Sequence, residues 1–271
     1  MTKEHCRERM SALNCCVLIP TYNNAQTLEK VINDVSEYSE NIIVVNDGST
    51  DSTNHTLAKF DAIHVVSYVN NKGKGFALRT GFDAAVNKGF DYVITIDSDG
   101  QHFADDIPVF VEKLETEKNS IIIGARNMNQ DSVPGKSNFG NKFSNFWFRF
   151  NTGISVPDTQ SGFRLYPVKS LEGINFITPK YEFEVEVIVR TAWRGIGVSA
   201  VPVKVYYPPA EERITHFRPV PDFSRVSVLN TVLVLIAVFY IKPRDFFRGL
   251  KKKTSEVLSA NIFSIRQNLI Q

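Results

Sequence analysis

Tyr92-Val-Ile-Thr-Ile-Asp97-Ser-Asp-Gly-Gln101 is a β-branched apolar run that ends abruptly in two carboxylates and a glycine. The composition of its first half predicts a strand over 92–97, bounded by turn residues. Side chains two apart on a strand share a face, so Asp97 and Asp99 are expected to point the same way at its terminus. Gly100 allows the sharp turn that follows. Two carboxylates so placed suit a hard divalent cation, one that takes oxygen ligands and keeps positions open for phosphate oxygens.

The same grammar extends in both directions. Strands are expected at Cys15–Ile19, Asn41–Val45, Ile63–Val69 and Ser120–Gly124, and helices at about 25–38, 51–60, 74–88 and 104–116. Continuous apolar strands separated by helices predict a mostly parallel α/β sheet covered on both faces. Ligands of such sheets bind beyond the carboxyl ends of the strands. The polar clusters sit there: Pro20-Thr-Tyr-Asn23, Asn46-Asp-Gly-Ser49, Asn70-Asn-Lys-Gly-Lys-Gly75 and Asp97–Gln101. Four clusters converging on one edge predict an active site. No G-x-G-x-x-G follows the first strand and no G-x-x-x-x-G-K-[ST] occurs, which excludes a dinucleotide fingerprint and a P-loop. Gly73-Lys74-Gly75 is expected to pack near a nucleotide.

At 271 residues, 43% apolar and 22% charged, the chain has an ordinary globular composition. The net charge of +2 is unevenly spread. Residues 204–271 carry eleven Lys/Arg against five Asp/Glu, a basic tail behind an acidic body. Within it Val226–Ile241 is nearly all apolar and is flanked by Arg218, Arg225, Lys242, Arg244 and Arg248. A spanning helix wants about 20 such residues. The sixteen here favour a helix lying in or dipping into a membrane interface, with Lys251–Lys253 meeting anionic headgroups, over a transmembrane helix or a buried or oligomer-forming core helix. The organisation expected is a 1–12 extension, a 13–207 catalytic domain and a 208–271 membrane-associating segment. Cys6, Cys15 and Cys16 form no metal or disulfide pattern, and the charged N-terminus has no secretory h-region. A reduced protein at the cytoplasmic face is expected. No nucleic-acid partner is expected, and the oligomeric state is left open.

Val17-Leu-Ile-Pro-Thr-Tyr-Asn23, Val44-Val-Asn-Asp-Gly-Ser-Thr-Asp51, Asp97-Ser-Asp-Gly-Gln-His102, Gly124-Ala-Arg126 and Asp158-Thr-Gln-Ser-Gly-Phe-Arg164 occur in this order. Together they resemble the family 2 nucleotide-sugar glycosyltransferases of the GT-A fold, most of all the dolichyl- and polyprenyl-phosphate mannose and glucose synthases. The resemblance covers about residues 13–207. It implies that Pro20, Thr21 and Tyr22 line the base pocket and that Asp47 contacts base or ribose. Asp97 would hold the ribose or metal region. Asp99 and Gln101 would coordinate Mg²⁺ or Mn²⁺ bridging the diphosphate. Arg126 would face donor or acceptor phosphates, and Ser161, Gly162 and Phe163 would lie near the transferred sugar. Asn24 departs from the Glu that many such synthases carry.

The expected reaction moves a hexose from a GDP-mannose or UDP-glucose type donor, with inversion, and needs charge neutralised on the departing diphosphate. The acceptor class turns on the nucleophile. A lipid monophosphate, with a second pKa near ~6, is already largely ionised and needs only cationic positioning. Arg213, His216 and Arg218 could gather it just before the apolar segment. A saccharide hydroxyl, as in polysaccharide or lipopolysaccharide synthesis, would instead need a general base from Asp158, Glu182, Glu184 or Glu186. Glu184 is the preferred carboxylate of that group; otherwise these glutamates form a solvated helix face. Lys74 is placed with the nucleotide sugar. The aromatic run Phe139–Phe150 reads as core.

Overall fold

The computed structural model describes residues 1–127, 135–207 and 218–248. Among them seven strands form one sheet: β1 (Cys15–Thr21), β2 (Ile42–Asp47), β3 (His64–Tyr68), β4 (Tyr92–Thr95), β5 (Ser120–Arg126), β6 (Arg164–Tyr166) and β7 (Gly197–Val203). Their order is β3-β2-β1-β4-β6-β5-β7. Every pairing is parallel except those of β6, which runs antiparallel to β4 and β5. The expected α/β sheet is therefore present, mostly parallel, with one reversed strand at its centre.

Helices cover both faces. Cys15, Val17 and Ile19 of β1 share a buried cluster with α1 (Lys3–Ala12), α2 (Ala25–Ser36), α3 (Thr53–Leu57) and α5 (Ile107–Thr116). In α2 and α5 the residues Leu28, Val31, Ile32, Val35 and Ile107, Phe110, Val111, Leu114 repeat at three- and four-residue steps, which makes one apolar stripe on each. The alternate residue Leu18 points the other way, onto Gly81 of α4 (Lys74–Asn87). Most of the segment 1–12 is thus the helix α1, whose Cys6 and Met10 enter the core.

Further along lie α6 (Gly135–Thr152), α7 (Val168–Leu171), α8 (Phe183–Ala192) and α9 (Pro219–Ile236). The chain divides into two compact units between Leu229 and Asn230. The described part of the second is helical, with a π-helical turn at Ala237–Ile241. Val220–Arg248 is one helix, long and apolar enough to cross a membrane by length and composition. It exceeds the sixteen-residue apolar run because its polar ends are helical too.

Two expectations about burial change. Phe139 and Phe146 are 69% and 59% exposed, and Phe150 is also exposed, so only part of the aromatic run is core. Asn141, Ser144, Phe148 and Asn151 occupy the inner face of α6 instead. The glutamates also reverse their reading: Glu182, Glu184 and Glu186 are 6%, 9% and 1% exposed, because α8 lies under the loops rather than on the surface.

Candidate active site

The β4 ladder stops at Thr95, two residues earlier than the apolar run suggests. Asp97, Ser98 and Asp99 therefore lie in a turn, and strand alternation is not what brings the two carboxylates together. The turn does. Gly100 closes it with φ of 74°, and the Gln101 N–H donates to Asp99 Oδ1 at 3.0 Å. Ser98 is buried and anchors the turn to the start of α2. Asn24 Nδ2 donates to its Oγ at 2.8 Å, and Thr27 Oγ1 donates to its carbonyl at 2.6 Å.

Lys74 stands between the first and second halves of the site. Its Nζ lies 2.8 Å from Asp97 Oδ1, 2.9 Å from Oδ2 and 3.1 Å from Glu184 Oε1. The glycines around it serve this placement. A Cβ at Gly75 would sit 2.4 Å from Phe183 Cβ and 2.6 Å from the Lys180 carbonyl, so only glycine lets α4 meet the start of α8. The Phe76 N–H also donates to the Pro179 carbonyl at 2.8 Å. Lys74 is thus a partly buried counter-ion for two carboxylates.

The two aspartates are electrostatically unlike. Burial alone would raise the Asp97 carboxyl, but Lys74 holds it below the usual range. Asp99 is pushed up to about 6, by burial first and then by the Asp97 charge. It carries a partly buried negative charge beside another, and a cation would relieve that. His102 follows on the same segment; burial lowers its pKa to about 4, and its Nδ1 is buried without a hydrogen-bond partner.

Arg126 closes β5 and forms a fork on Asp158, with Nε 2.7 Å from Oδ2 and Nη2 3.1 Å from Oδ1. Asn141 Nδ2 and the Gln160 N–H also donate to Asp158 Oδ1, at 2.8 and 3.0 Å. Nε and Nη2 of this guanidinium thereby hold the loop. Asp158 is completely buried within this clamp. Ser161 is buried too, its Oγ accepting the Phe163 N–H within its own loop. Glu186 is likewise structural: it accepts from the N–H groups of Ile177 and Thr178, from Thr178 Oγ1 and from Arg190.

On the other side, Pro20 and Thr21 end β1, with Tyr22 next, beside Asn46 and Asp47 at the end of β2. Asp47 is buried and fully engaged. Its oxygens accept from Asn71 Nδ2 and the N–H groups of Lys72 and Gly73, at 3.0, 2.7 and 2.8 Å. These bonds shape the loop before α4 at the end of β2. Thr21 Oγ1 and Asn24 Oδ1 are buried without hydrogen-bond partners, two polar atoms left over at this strand end. Arg218 and Arg225 both pair with the buried Asp222 in the first turns of α9, at 3.7 and 2.8 Å. Arg213 and His216 lie outside the described residues. The counter-ion role of Lys74, and the clamp on Asp158, had no local signal in the sequence; only the fold brings these partners together.

The sequence matches the Glycosyl transferase family 2 model over residues 16–174. It is 33% identical over 210 residues to the glycosyltransferase AglJ of Haloferax volcanii, covering 76% of this chain and 67% of that protein. To the polyprenol monophosphomannose synthase of Mycolicibacterium smegmatis it is 28% identical, over 69% of this chain and 75% of the relative. The fold matches glucosyl-3-phosphoglycerate synthase of Mycobacterium tuberculosis, a structure holding Mn²⁺, UDP and phosphoglyceric acid. That match has a TM-score of 0.65 at 22% identity and covers 87% and 82% of the two chains. The strand-end site, the mixed GT-A sheet and these similarities agree: the chain is a glycosyltransferase and belongs to glycosyl transferase family 2.

Proposed function

We propose that this enzyme transfers a hexose from a nucleoside-diphosphate sugar to a polyprenyl phosphate, with a divalent cation, at the cytoplasmic face of a membrane. The observation that carries the acceptor class is the state of the carboxylates. Asp158 is clamped by Arg126, Glu184 is tied to Lys74, and Glu186 holds the 177–178 backbone. A site whose carboxylates are so engaged suits an acceptor that arrives ionised and needs no base. Relatives named for polyprenol and undecaprenyl phosphate mannose transfer support the same choice.

The residues fit a metal. Among the described residues no three His, Cys, Asp or Glu side chains gather as a cage, so the protein would offer a partial shell. Asp99, with its raised pKa, and the Gln101 side chain would hold the ion, leaving places for diphosphate oxygens. Asp97, neutralised by Lys74, would stand behind them. A bound cation supplies Lewis-acid neutralisation of the leaving diphosphate. The chain itself orients the donor between the β1–β2 ends and the 158–163 loop, with Thr21 Oγ1 and Asn24 Oδ1 available to the nucleotide. Asp47 and Ser161 contribute by holding those two loops in shape, and Arg126 by holding Asp158.

The metal reading has a pH signature. A carboxyl raised from about 4 to about 6 favours the protonated folded state. Without metal, the stability this group contributes is present below pH 4 and lost as pH rises through 6. A cation must displace that proton, so its affinity should climb up to about tenfold per pH unit below 6 and level off above. The Mn²⁺-induced rise in thermal midpoint should accordingly widen between pH 5 and pH 7. A rise that is flat across that range would remove Asp99 from the ligand set.

Membrane attachment is supported by α6 and α9. Phe139, Phe146 and Phe150 line an exposed stripe interleaved with the exposed Lys142 and Arg149, and the Phe143 ring lies 5.8 Å from Phe223 of α9. Exposed aromatic and basic side chains on one face suit an anionic lipid surface. The apolar helix Val220–Arg248 would lie on or enter the same bilayer, and Arg218 would present the acceptor phosphate there.

Two atoms favour the second reading, a saccharide hydroxyl acceptor: Glu182 Oε2 and Glu184 Oε1 are buried without a hydrogen-bond partner, the latter meeting Lys74 only as an ion pair. Glu182→Gln separates the two. A phosphate acceptor predicts a change in kcat of less than about threefold, whereas loss of a general base costs about 10²–10⁴. The reaction itself is tested by incubating the full chain with radiolabelled UDP- and GDP-sugars, polyprenyl phosphate and Mn²⁺. Metal-dependent label in the lipid extract is expected; its absence across the donor panel would count against the proposal.

A further inference from the structure

We infer that Arg164 is a positioning residue for sugar transfer, fixing the loop Thr159–Gly162 and the start of α8 on either side of the Lys74–Asp97–Glu184 cluster. Arg164 is completely buried at the first position of β6. Its fork reaches three pieces of backbone. Nε donates to the Ser161 carbonyl at 2.6 Å, Nη2 to the Thr159 carbonyl at 2.9 Å and Nη1 to the Glu184 carbonyl at 2.7 Å. The remaining contact is Nη1 to the Tyr166 hydroxyl, at 3.4 Å. All these acceptors are neutral.

That arrangement is expensive as a source of stability. A buried guanidinium loses its hydration, and neutral carbonyls return less than a carboxylate would. An apolar side chain of similar volume often serves a core as well or better. What an apolar residue cannot do is hold three segments in fixed directions, and lysine, a point donor on a flexible stem, cannot do so either.

The three segments border the charged cluster. The Gly162 carbonyl is held by Thr95 Oγ1 at 2.7 Å, where β4 ends. A Cβ on Gly162 would lie 2.4 Å from Asp97 Oδ2 and 2.8 Å from Lys74 Nζ, so the loop rests directly on that ion pair. On the far side, the Glu184 whose carbonyl Arg164 holds sends its carboxylate to the same Lys74. One guanidinium thus sets the separation of two walls around the cluster. The nucleotide side is built separately, from Asp47 and the 71–73 loop, by bonds in which Arg164 takes no part.

This inference rests on the sugar-transfer reading for its kinetic arm only. The test compares full-length wild type with Arg164→Lys and Arg164→Met. Nucleoside diphosphate affinity is measured with Mn²⁺ by calorimetry, donor turnover is counted per binding site, and amide hydrogen exchange is followed by segment. Displacing reacting groups by about 1 Å costs on the order of 10²-fold in rate. Arg164→Lys should therefore lower turnover about 50-fold or more, with the nucleotide Kd within about threefold of wild type. Exchange should rise about tenfold or more in 158–163 and 181–186 together, and stay level in 70–73. Turnover within about threefold of wild type, unchanged exchange in either segment, or parallel loss of affinity and turnover overturns the inference. So does an Arg164→Lys protein that does not fold, since that marks a purely structural residue. A wild type that turns over no donor would instead sink the transfer reading, and the exchange arm would still decide the role of Arg164.

Discussion

Asp99→Asn should lower kcat by about three orders of magnitude, corresponding to about 4 kcal/mol of transition-state stabilisation. Its residual rate should no longer respond to Mn²⁺. The substitution keeps the shape of the side chain and its acceptor for the Gln101 N–H. It removes only the charge that would meet a cation. Stability should move in the opposite direction: without metal, the neutral amide relieves the repulsion that lifts the Asp99 pKa to about 6. The variant is therefore expected to melt no lower than wild type in chelator and to gain nothing from added Mn²⁺. Comparing kcat and thermal midpoint with and without metal checks both signs. A variant that is merely misfolded loses activity and stability together, and that outcome would reject the ligand role.

Lys74→Met should cost about 2–3 kcal/mol of stability, somewhat below the loss from breaking a fully buried ion pair, because the Lys74, Asp97 and Glu184 side chains keep 17%, 25% and 11% of their exposure. Asp97 and Glu184 would lose the ammonium that sits within 2.8 and 3.1 Å of them. The loss has a pH sign. In the wild type Lys74 holds the Asp97 pKa below the usual range, so that stabilisation is present above the unfolded carboxyl pKa of about 4 and disappears in acid. The gap between wild type and Lys74→Met in urea denaturation should therefore be wide at pH 7 and narrow towards pH 3. Equal stability at pH 7 would show that the cluster is solvated and that Lys74 is free to serve a ligand. Turnover should fall with stability, because the same ion pair supports the Ser161–Gly162 loop.

The order in which the chain discloses its fold follows from where its apolar residues lie. β1, β2 and β4 are continuous apolar runs because both faces of each are covered, and α2 and α5 carry uninterrupted stripes. The carboxyl-end loops follow from those strands, so the nucleotide side and the Asp97–Gln101 turn are legible from local pattern. β6 is not. It has three residues and begins with a fully buried arginine, which local reasoning assigns to solvent. α6 is obscured for the opposite reason: its aromatics face outward while Asn141, Ser144 and Asn151 face the protein. α1 carries only Cys6 and Met10 inward, too few for a stripe.

The site divides along the same line. Glu184 and Asp97 are 87 residues apart in sequence and share Lys74 only because Gly75 lets α4 approach Phe183. Arg126 reads as a phosphate fork from its strand-end position alone, whereas the fold also sets its Nε and Nη2 on Asp158. Charged residues declare their type in a sequence but not their partners, and in this enzyme the partners decide which of them remain available for chemistry.

The central claim is that Asp99 and Gln101 seat the cation which takes up charge on the departing diphosphate. Crystals grown with Mn²⁺ and a nucleoside diphosphate, measured at the manganese absorption edge, test it most directly. The account predicts one anomalous peak in contact with the Asp99 carboxylate, the Gln101 side chain and the diphosphate oxygens, with Lys74 still on Asp97. A bound nucleotide with no peak there, or with the ion held by other side chains, would contradict it.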